Sequence, residues 1–181
     1  MKFLFIAPRF HTNQVSWTDS LIDNNHKVYF HSQLKGGIEN YSKVEPKIFP
    51  PCKLSKLIIN VFGEGGINNP RGFPNPLTYF RELKDLNPDV IIVRDATRWF
   101  SLLGAILGRV LNIKIIIYSQ TELHKHYGAL RKLKTKLILK IFRAKWITPL
   151  RGKKSEFSTY PEGLYFVPFA VDINKKQKKH Q

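Results

Sequence analysis

The chain of 181 residues is 43% hydrophobic and carries a formal net charge of +17. This length and apolar content suffice for one packed core but not for two. The lone Cys52 excludes a disulfide framework and fits a reducing compartment, and the first residues lack the basic, apolar and small-residue pattern of a secretory leader. We therefore expect a single cytoplasmic domain.

The strong positive charge indicates a polyanionic partner, because it exceeds what solubility alone requires. An anionic membrane surface, nucleic acid and a phosphate-bearing substrate all fit, and composition does not rank them. The longest apolar window, Trp99–Tyr118, is interrupted by Arg109, Asn112 and Lys114. It is therefore not expected to span a bilayer, which requires about 20 consecutive apolar residues.

The start of the sequence predicts a βαβ unit. Lys2–Ala7 is a continuous apolar run of the kind found in strands buried on both faces, and Pro8 is expected to end it. Thr12 or Asn13 can cap the helix that follows, and a second strand is predicted at 27–31. Two strands joined through a helix are expected to pair in parallel.

A long, partly ordered insertion is predicted at about 32–75, where glycine and proline recur without a clear hydrophobic period. Within it lie a possible strand near Val44–Phe49 and a short apolar piece, Leu54–Phe62. Asn75 then caps a helix that has Pro76 at its first position. This cap is the clearest helix signal in the sequence.

The second half of the sequence alternates strands and helices. The predicted elements are a strand at Asp89–Val93, a helix at about 97–111, a strand at Ile113–Tyr118, a basic helix at about 128–142, and strands at Trp146–Thr148 and Leu164–Val167. Buried strands separated by helices of this length predict an α/β fold with a doubly wound parallel sheet. We expect a single domain, since no internal repeat is present.

Several short phrases occur in a recognisable order. The closing run, Gly163–Asp172, joins an apolar strand to Pro, then a small residue, Val and Asp, and residues 25–28 read Asn-His-Lys-Val. Pro88–Ile91 and Ala144–Ile147 each lead into a strand. Together these phrases resemble the N-terminal, acceptor-side domain of GT-B glycosyltransferases, specifically glycosyltransferase family 4, although the turn at 25–28 lacks the family's glycine.

The resemblance implies a Rossmann-like, acceptor-binding domain at 1–172. Residues 173–181 would form a basic tail or the start of an interdomain linker. It also implies a second, donor-binding domain that is missing from this chain. The chain alone is therefore expected to transfer no sugar.

The loops that follow the strands are the expected places for a ligand, because an open parallel sheet binds ligands outside the carboxyl ends of its strands. The loop after the first strand has no glycine, so the dinucleotide fingerprint is absent and no nicotinamide or flavin cofactor is expected. By resemblance, His11, Thr12 and Asn13 would face the donor diphosphate. The alternative is that Thr12 and Asn13 only cap the helix.

The loops after the next two inner strands supply the other candidates. Gln120 stands where the family often has a histidine near the transferring sugar, so the resemblance implies a positioning role through hydrogen bonds. His124 follows closely enough to supplement it as a second candidate catalytic residue, or serves as a surface or capping residue. By the same resemblance, the acceptor-binding candidates are Arg94, Asp95, Arg98 and Glu122. For Asp95 the alternative is an ion pair with a neighbouring arginine or a helix cap.

Metals and further cofactors have no support in the sequence. No Asp-x-Asp pair and no His/Cys cluster at ligand spacing occurs, so no metal is expected. The run Gly63–Gly66 lacks the Lys-Ser/Thr of a P-loop and is interpreted as a turn. The only small molecules expected are a nucleotide-sugar donor and a glycan or lipid-linked acceptor.

Residues 125–145 contain eight lysines or arginines and no acidic residue. Leu130, Leu133, Leu137 and Ile141 recur among them at helical spacing. The pattern is typical of a basic amphipathic helix on an anionic membrane. The membrane-binding candidates are Arg131, Lys132, Lys134, Lys136, Lys140 and Arg143. The alternative is an ordinary crossover helix whose apolar face packs on the sheet.

The leading hypothesis is the N-terminal domain of a retaining, hexosyltransferase-type glycosyltransferase of polysaccharide biosynthesis. It would act on a lipid-linked or cell-envelope glycan, peripherally at the inner face of the cell membrane. The alternative is a basic α/β nucleic-acid-binding module, which is not favoured because no recognition motif is visible and the aromatic residues fall on strands predicted to be buried. A third reading is an interaction module without an enzymatic partner domain.

Overall fold

The computed structural model describes residues 1–36, 41–63, 65, 71–123, 128–152 and 163–168. The strands in this part of the chain are β1 (Lys2–Arg9), β2 (Lys27–Leu34), β3 (Lys47–Ile48), β4 (Val90–Arg94), β5 (Lys114–Tyr118), β6 (Lys145–Thr148) and β7 (Leu164–Phe166). The helices are α1 (Thr12–Asp23), α2 (Lys53–Phe62), α3 (Pro76–Leu86), α4 (Trp99–Val110) and α5 (Ala129–Phe142).

The strands form one parallel sheet in the order β3-β2-β1-β4-β5-β6-β7. The chain runs from β1 through β2 to β3 at one edge of the sheet. It then returns to β4 on the other side of β1 and continues through β5 and β6 to β7 at the opposite edge. Helix α1 packs on one face of the sheet through Trp17, whereas α3, α4 and α5 cover the other face. The predicted single α/β domain with a doubly wound, Rossmann-like parallel sheet is therefore confirmed.

Helix α4 lies close to the centre of the sheet because two glycines face the strands. A Cβ atom at Gly104 would lie 2.6 Å from Cδ1 of Ile6, and one at Gly108 would lie 2.8 Å from Cδ1 of Ile91. Side chains at these two positions would push the helix away from β1 and β4. The close packing fixes the N-terminal end of α4 beside the loop that follows β4.

Strand β1 is longer than the sequence predicts. Pro8 does not end it, because β1 pairs with β4 only through Ile6 and with β2 as far as Arg9. Proline lacks an amide hydrogen, but β4 contributes no pairing partner at this position, so the strand continues. The extension carries Arg9 to the carboxyl edge of the sheet.

The segment expected as an irregular insertion contains two regular elements among its described residues. Strand β3 pairs with the end of β2, and the apolar piece forms the ten-residue helix α2. Ser55 is the buried residue of α2, and its hydroxyl accepts a hydrogen bond from the amide of Phe73 at 2.8 Å. This hydrogen bond joins residues that are 18 positions apart in the sequence. Because the helix depends on such a distant contact, the local hydrophobic period did not predict it.

Asn75 begins α3 as predicted. Its side-chain oxygen accepts hydrogen bonds from the amides of Leu77 and Thr78 at 3.0 and 3.2 Å, with Pro76 at the first helical position. Asn87, in the left-handed conformation with φ 45°, ends the helix. The helix thus has a defined cap at each end.

Replacing Asn75 by alanine is expected to lower the free energy of unfolding by about 1 kcal/mol, because two amides lose their acceptor. Urea denaturation measures the change. Asn60→Ala is the matched control, since Asn60 is exposed within α2 and alanine is a better helix former there. Equal losses in the two variants would contradict the capping role.

A buried polar cluster lies where β2 meets α3. His31 is 2% exposed, and its Nδ1 atom lies 3.2 Å from the hydroxyl of the fully buried Tyr79. Burial, aided by the nearby Lys47, lowers the pKa of His31 to about 3. Its imidazole is therefore neutral at pH 7, and Glu82, 3.8 Å away, forms its ion pair with Lys47 instead at 2.6 Å.

Candidate active site at the carboxyl edge of the sheet

The reversal of chain direction between β1 and β4 marks the expected ligand-binding crevice. These two strands are neighbours, yet the loops after them lead toward opposite edges of the sheet. In doubly wound folds a crevice opens at this point, outside the carboxyl ends of the strands. The residues that end the two strands are Arg9 and Arg94.

Three arginines lie close enough at this crevice for their charges to interact. Burial lowers the pKa of Arg94 below its ordinary value, and the neighbouring positive charges of Arg98 and Arg9 lower it further, while Tyr118 and Asp95 oppose the shift. Arg98 donates from Nε to Oδ2 of Asp95 at 3.2 Å. The group therefore contains three arginines and one carboxylate, and such a set favours a bound anion.

Arg9 supplies a further sign of an anion site. Its Nε atom is buried and has no hydrogen-bond partner among the described residues. A buried donor without a partner is costly, and a ligand that accepts a hydrogen bond would remove the cost. The sequence analysis placed Arg9 in the loop after the first strand but did not single it out. Its position directly after a buried apolar run was the available signal.

Asp95 links the crevice to the neighbouring strand. Its backbone has φ 57°, a left-handed conformation that aspartate tolerates better than most residues. Its amide donates to the carbonyl of Tyr118 at 2.8 Å, and its carbonyl accepts from the amide of Arg98 at 2.9 Å. The ion pair with a neighbouring arginine, one of the alternatives for Asp95, is thus formed with Arg98.

The first turn of α1 borders the same crevice, but its cap differs from the sequence expectation. His11 is the capping residue, rather than Thr12 or Asn13. Its Nδ1 atom accepts from the amide of Asn13 at 3.4 Å, and its own amide donates to Oε1 of Gln14 at 3.2 Å. The amides of Asn13 and Gln14 are therefore already engaged within the helix, because Gln14 donates to the carbonyl of His11 at 2.8 Å.

This cap changes what α1 can offer an anion. Thr12 is exposed, and its hydroxyl lies 3.3 Å from Nδ1 of His11. The positive end of the helix dipole remains, but backbone amides alone do not form an open phosphate cradle. Most of the positive charge for an anion comes from the arginines.

The loop after β5 is held by a polar network. The indole of Trp146 donates to the hydroxyl of Ser119 at 2.7 Å, and the hydroxyl of Thr148 donates to the carbonyl of Thr121. Gln120 is exposed and hydrogen-bonds to the side chain of Tyr118. Burial raises the pKa of this tyrosine, while the charge of Arg94 and the hydrogen bond with Gln120 oppose the shift.

The structure thus brings only some of the predicted site residues together. Arg94, Asp95 and Arg98 lie together, and Gln120 joins them through Tyr118. Glu122 is exposed two residues further along the loop. His124 lies outside the described residues, as does the closing phrase beyond Pro168.

The closing strand is tied to α1 across this edge. The amide of Val167 donates to the carbonyl of Thr148 at 2.9 Å, which continues the sheet past β7. The indole of Trp17 donates to the carbonyl of Pro168 at 3.0 Å, and its ring packs edge-on against Tyr118 at 4.8 Å between centroids. The end of the sheet is therefore anchored over the face that carries α1.

Helix α2 carries exposed apolar side chains. Leu54, Leu57, Val61 and Phe62 are each more than half exposed. On its inner side, Ser55 lies beside Gly72, where a Cβ atom would come within 2.6 Å of the Ser55 hydroxyl oxygen and where φ is 130°, so no side chain fits. The next residue, Phe73, lies 6.3 Å from the ring of Trp99, which directly follows Arg98.

Two absences hold for the described part of the chain. No three His, Cys, Asp or Glu side chains lie together there as metal ligands would. None of its helices combines the length and apolar character that crossing a bilayer requires.

Comparison with known proteins supports the fold. No protein-family model and no curated protein matches the sequence. Two solved glycosyltransferases are similar in structure: CalG4, the calicheamicin glycosyltransferase, with a TM-score of 0.52 and 10% identity, and the spinosyn forosaminyltransferase SpnP, with 0.53 and 12%. Each alignment covers 94% of this chain but only 52% and 51% of the other, so the chain spans about half their length.

A UDP-glucose 4-epimerase from Thermus thermophilus, solved with NAD, aligns over 90% of this chain and 59% of its own, with a TM-score of 0.47 and 12% identity. The likeness to CalG4 and SpnP concerns backbone architecture, since the identities are low. The chain is a single α/β domain that matches a Rossmann-like half of a GT-B fold.

Proposed function

We propose that this chain is the acceptor-binding half of a retaining, hexosyltransferase-type glycosyltransferase whose donor domain lies outside the chain. The observation that carries the proposal is the cluster of Arg9, Arg94 and Arg98 at the strand reversal of a fold shared with two glycosyltransferases. Sugar transfer from a nucleotide-sugar requires groups that hold phosphate oxygens and groups that orient a hydroxyl. This edge of the sheet offers both.

The acceptor we propose is a glycan joined to its lipid through phosphate, of the kind used in building polysaccharides. A partly buried guanidinium such as Arg94 favours a doubly hydrogen-bonded phosphate, because its donors form a planar fork. The exposed leucines of α2 suit the hydrocarbon part of such an acceptor. This helix bonds to Phe73 through Ser55, and the ring of Phe73 lies 6.3 Å from that of Trp99, the residue after Arg98. The enzyme would then work peripherally at the inner, cytoplasmic face of the cell membrane.

In the proposed reaction an acceptor hydroxyl attacks the anomeric carbon as the bond from that carbon to the diphosphate breaks. The hydroxyl proton passes to the departing diphosphate, and retention follows when attack and departure share one face of the sugar. The positive end of α1 and Thr12 face the growing negative charge, with His11 and Asn13 shaping that turn. Gln120 positions a sugar hydroxyl, while Asp95 and Glu122 accept hydrogen bonds from the acceptor.

Binding to a phosphate-linked sugar tests the acceptor assignment. The chain is titrated with a polyprenyl-phosphate-linked sugar in detergent and, as control, with an alkyl glycoside of the same sugar. The phosphate form is expected to bind at least about tenfold more tightly, because charge-assisted hydrogen bonds are lost with the control. Equal affinities would overturn the acceptor assignment.

The need for a second domain has its own test. The chain alone, given a nucleotide-sugar and the phosphate-linked acceptor, is expected to release no nucleotide above background. Transfer by the chain alone would refute this part of the proposal. Lipid-independent, sequence-selective RNA binding at physiological salt would instead support the nucleic-acid alternative.

A further inference from the structure

Helix α5 keeps its apolar row on the outside of the domain. Leu130, Leu133, Leu137 and Ile141 are between 54% and 81% exposed, and their spacing places them along one side of the helix. The sheet instead receives the opposite side, where Thr135, Leu139 and Phe142 are buried. Helix α5 is therefore a crossover helix that packs on the sheet through Leu139 and Phe142, but the row Leu130, Leu133, Leu137 and Ile141 faces away from the sheet.

Positive side chains border the row. Lys134, Lys136, Lys140 and Arg143 are exposed and Lys132 is half-buried, while the side chain of Arg131 lies outside the described residues. Residues 128–145 contain no acidic residue, and none of the ion pairs found among the described residues involves α5. Exposing an apolar row to water costs free energy, and so does holding several lysines together without a counter-charge. A partner that covers the row and neutralises the lysines would remove both costs.

A groove runs beside the row, between α5 and the starts of β6 and β7. It has a volume of about 610 Å³. Lys132, Lys136 and Lys145 line it together with the apolar Leu133 and Leu139. Lys145 also lies 5.7 Å from the ring centre of Tyr165, another lining residue, which places its charge above an aromatic wall. The groove thus combines an apolar floor with several ammonium groups.

The charges of this surface decide which partner it fits. The chain's own C-terminal segment, 173–181, carries four lysines and no acidic residue, and a second copy of a chain with net charge +17 would meet like charge. Nucleic acid would satisfy the lysines but leave the leucines in water. An anionic lipid bilayer satisfies both, because phosphates lie above hydrocarbon at the depth that such a helix reaches.

We propose that α5 docks on an anionic bilayer with its leucine row in the acyl region and a lipid phosphate held in the groove by Lys132, Lys136 and Lys145. The inference deepens the membrane location given under the proposed function by naming the surface and the lipid class. It uses none of the arginines of the crevice. The two ideas can therefore fail separately.

Vesicle flotation of the whole chain tests the docking surface, with no acceptor or donor present. The probes are vesicles of phosphatidylcholine alone and vesicles that also contain phosphatidylglycerol. Binding is expected only to the anionic vesicles. Replacing both Lys132 and Lys136 by glutamine is expected to weaken partitioning roughly 30-fold, and replacing both Leu133 and Leu137 by serine at least roughly tenfold.

The matched control replaces Leu77 and Val110 by serine, because these residues are 73% and 67% exposed on α3 and α4. The control is expected to float like the unaltered chain. Equal flotation on both vesicle types, equal loss in control and leucine variants, or binding only to RNA or to acidic proteins would overturn the proposal. Failure here with retained phosphate-linked acceptor binding would leave the proposed function standing.

Discussion

Replacing Arg94 by alanine is expected to weaken binding of a phosphate-linked acceptor about 30-fold to 1000-fold. The loss corresponds to about 2–4 kcal/mol, the range for a charge-assisted contact in a site shielded from water. Arg94 is the arginine whose pKa burial lowers, so its charge is poorly hydrated and gains most from an anion. Calorimetric titration of the chain with the polyprenyl-phosphate-linked sugar measures the effect.

Two further variants make this prediction specific. Arg94→Lys is expected to restore only part of the affinity, because an ammonium group does not reproduce the planar fork of a guanidinium. Arg109→Ala is the matched control, since Arg109 is similarly half-buried but lies in the last turn of α4. If Arg109→Ala weakened the acceptor as much as Arg94→Ala, the effect would reflect net charge and the site assignment would fail.

Acidification is expected to destabilise the domain through His31. Its pKa is about 3 in the folded chain against an ordinary value of 6.5, so between these values the unfolded chain binds a proton that the folded chain does not. The stabilising contribution is therefore complete above about pH 6.5 and is lost as the pH falls toward about 3. The slope is about 1.4 kcal/mol per pH unit, or about 2 kcal/mol between pH 7 and pH 5.

The variant His31→Gln isolates this contribution. Glutamine does not titrate, and its amide can still hydrogen-bond the hydroxyl of Tyr79, which is fully buried. We expect the variant to be less stable at pH 7, because it loses ring contacts with Phe49 and Tyr79, but to show a shallower decline on acidification. Urea unfolding at several pH values gives both quantities, and an unchanged slope would exclude His31 as the cause.

The structural features that depend on residues close together in the sequence were predicted correctly. The cap at Asn75, the buried strands and the alternation of strands with helices all follow from local patterns, and they suffice for the fold class. Contacts between distant segments escaped prediction. Helix α2 depends on the hydrogen bond from Phe73 to Ser55, and the neutral state of His31 depends on packing against α3.

The candidate site was predicted only in part, for a related reason. Sequence reasoning named Arg94, Asp95 and Arg98, which the fold brings together, but it missed Arg9, which pairs at the extended end of β1. For α5 the hydrophobic period was recognised correctly, but this period does not determine whether the leucine row faces the sheet or the solvent. Periodicity defines a stripe on a helix; only the surrounding chain decides whether the stripe points inward.

The two border strands have a consequence for how copies of this chain meet. Among the described residues, β3 contributes two residues and β7 three, so each border of the sheet leaves few backbone groups unpaired. Short edge strands offer few unpaired backbone groups to a strand from another molecule. This limits fibril-like growth by the pairing of edge strands. Self-association of this chain, in spite of its outward-facing leucines, is therefore expected to proceed through helices and to be reversed by mild detergent rather than to seed amyloid.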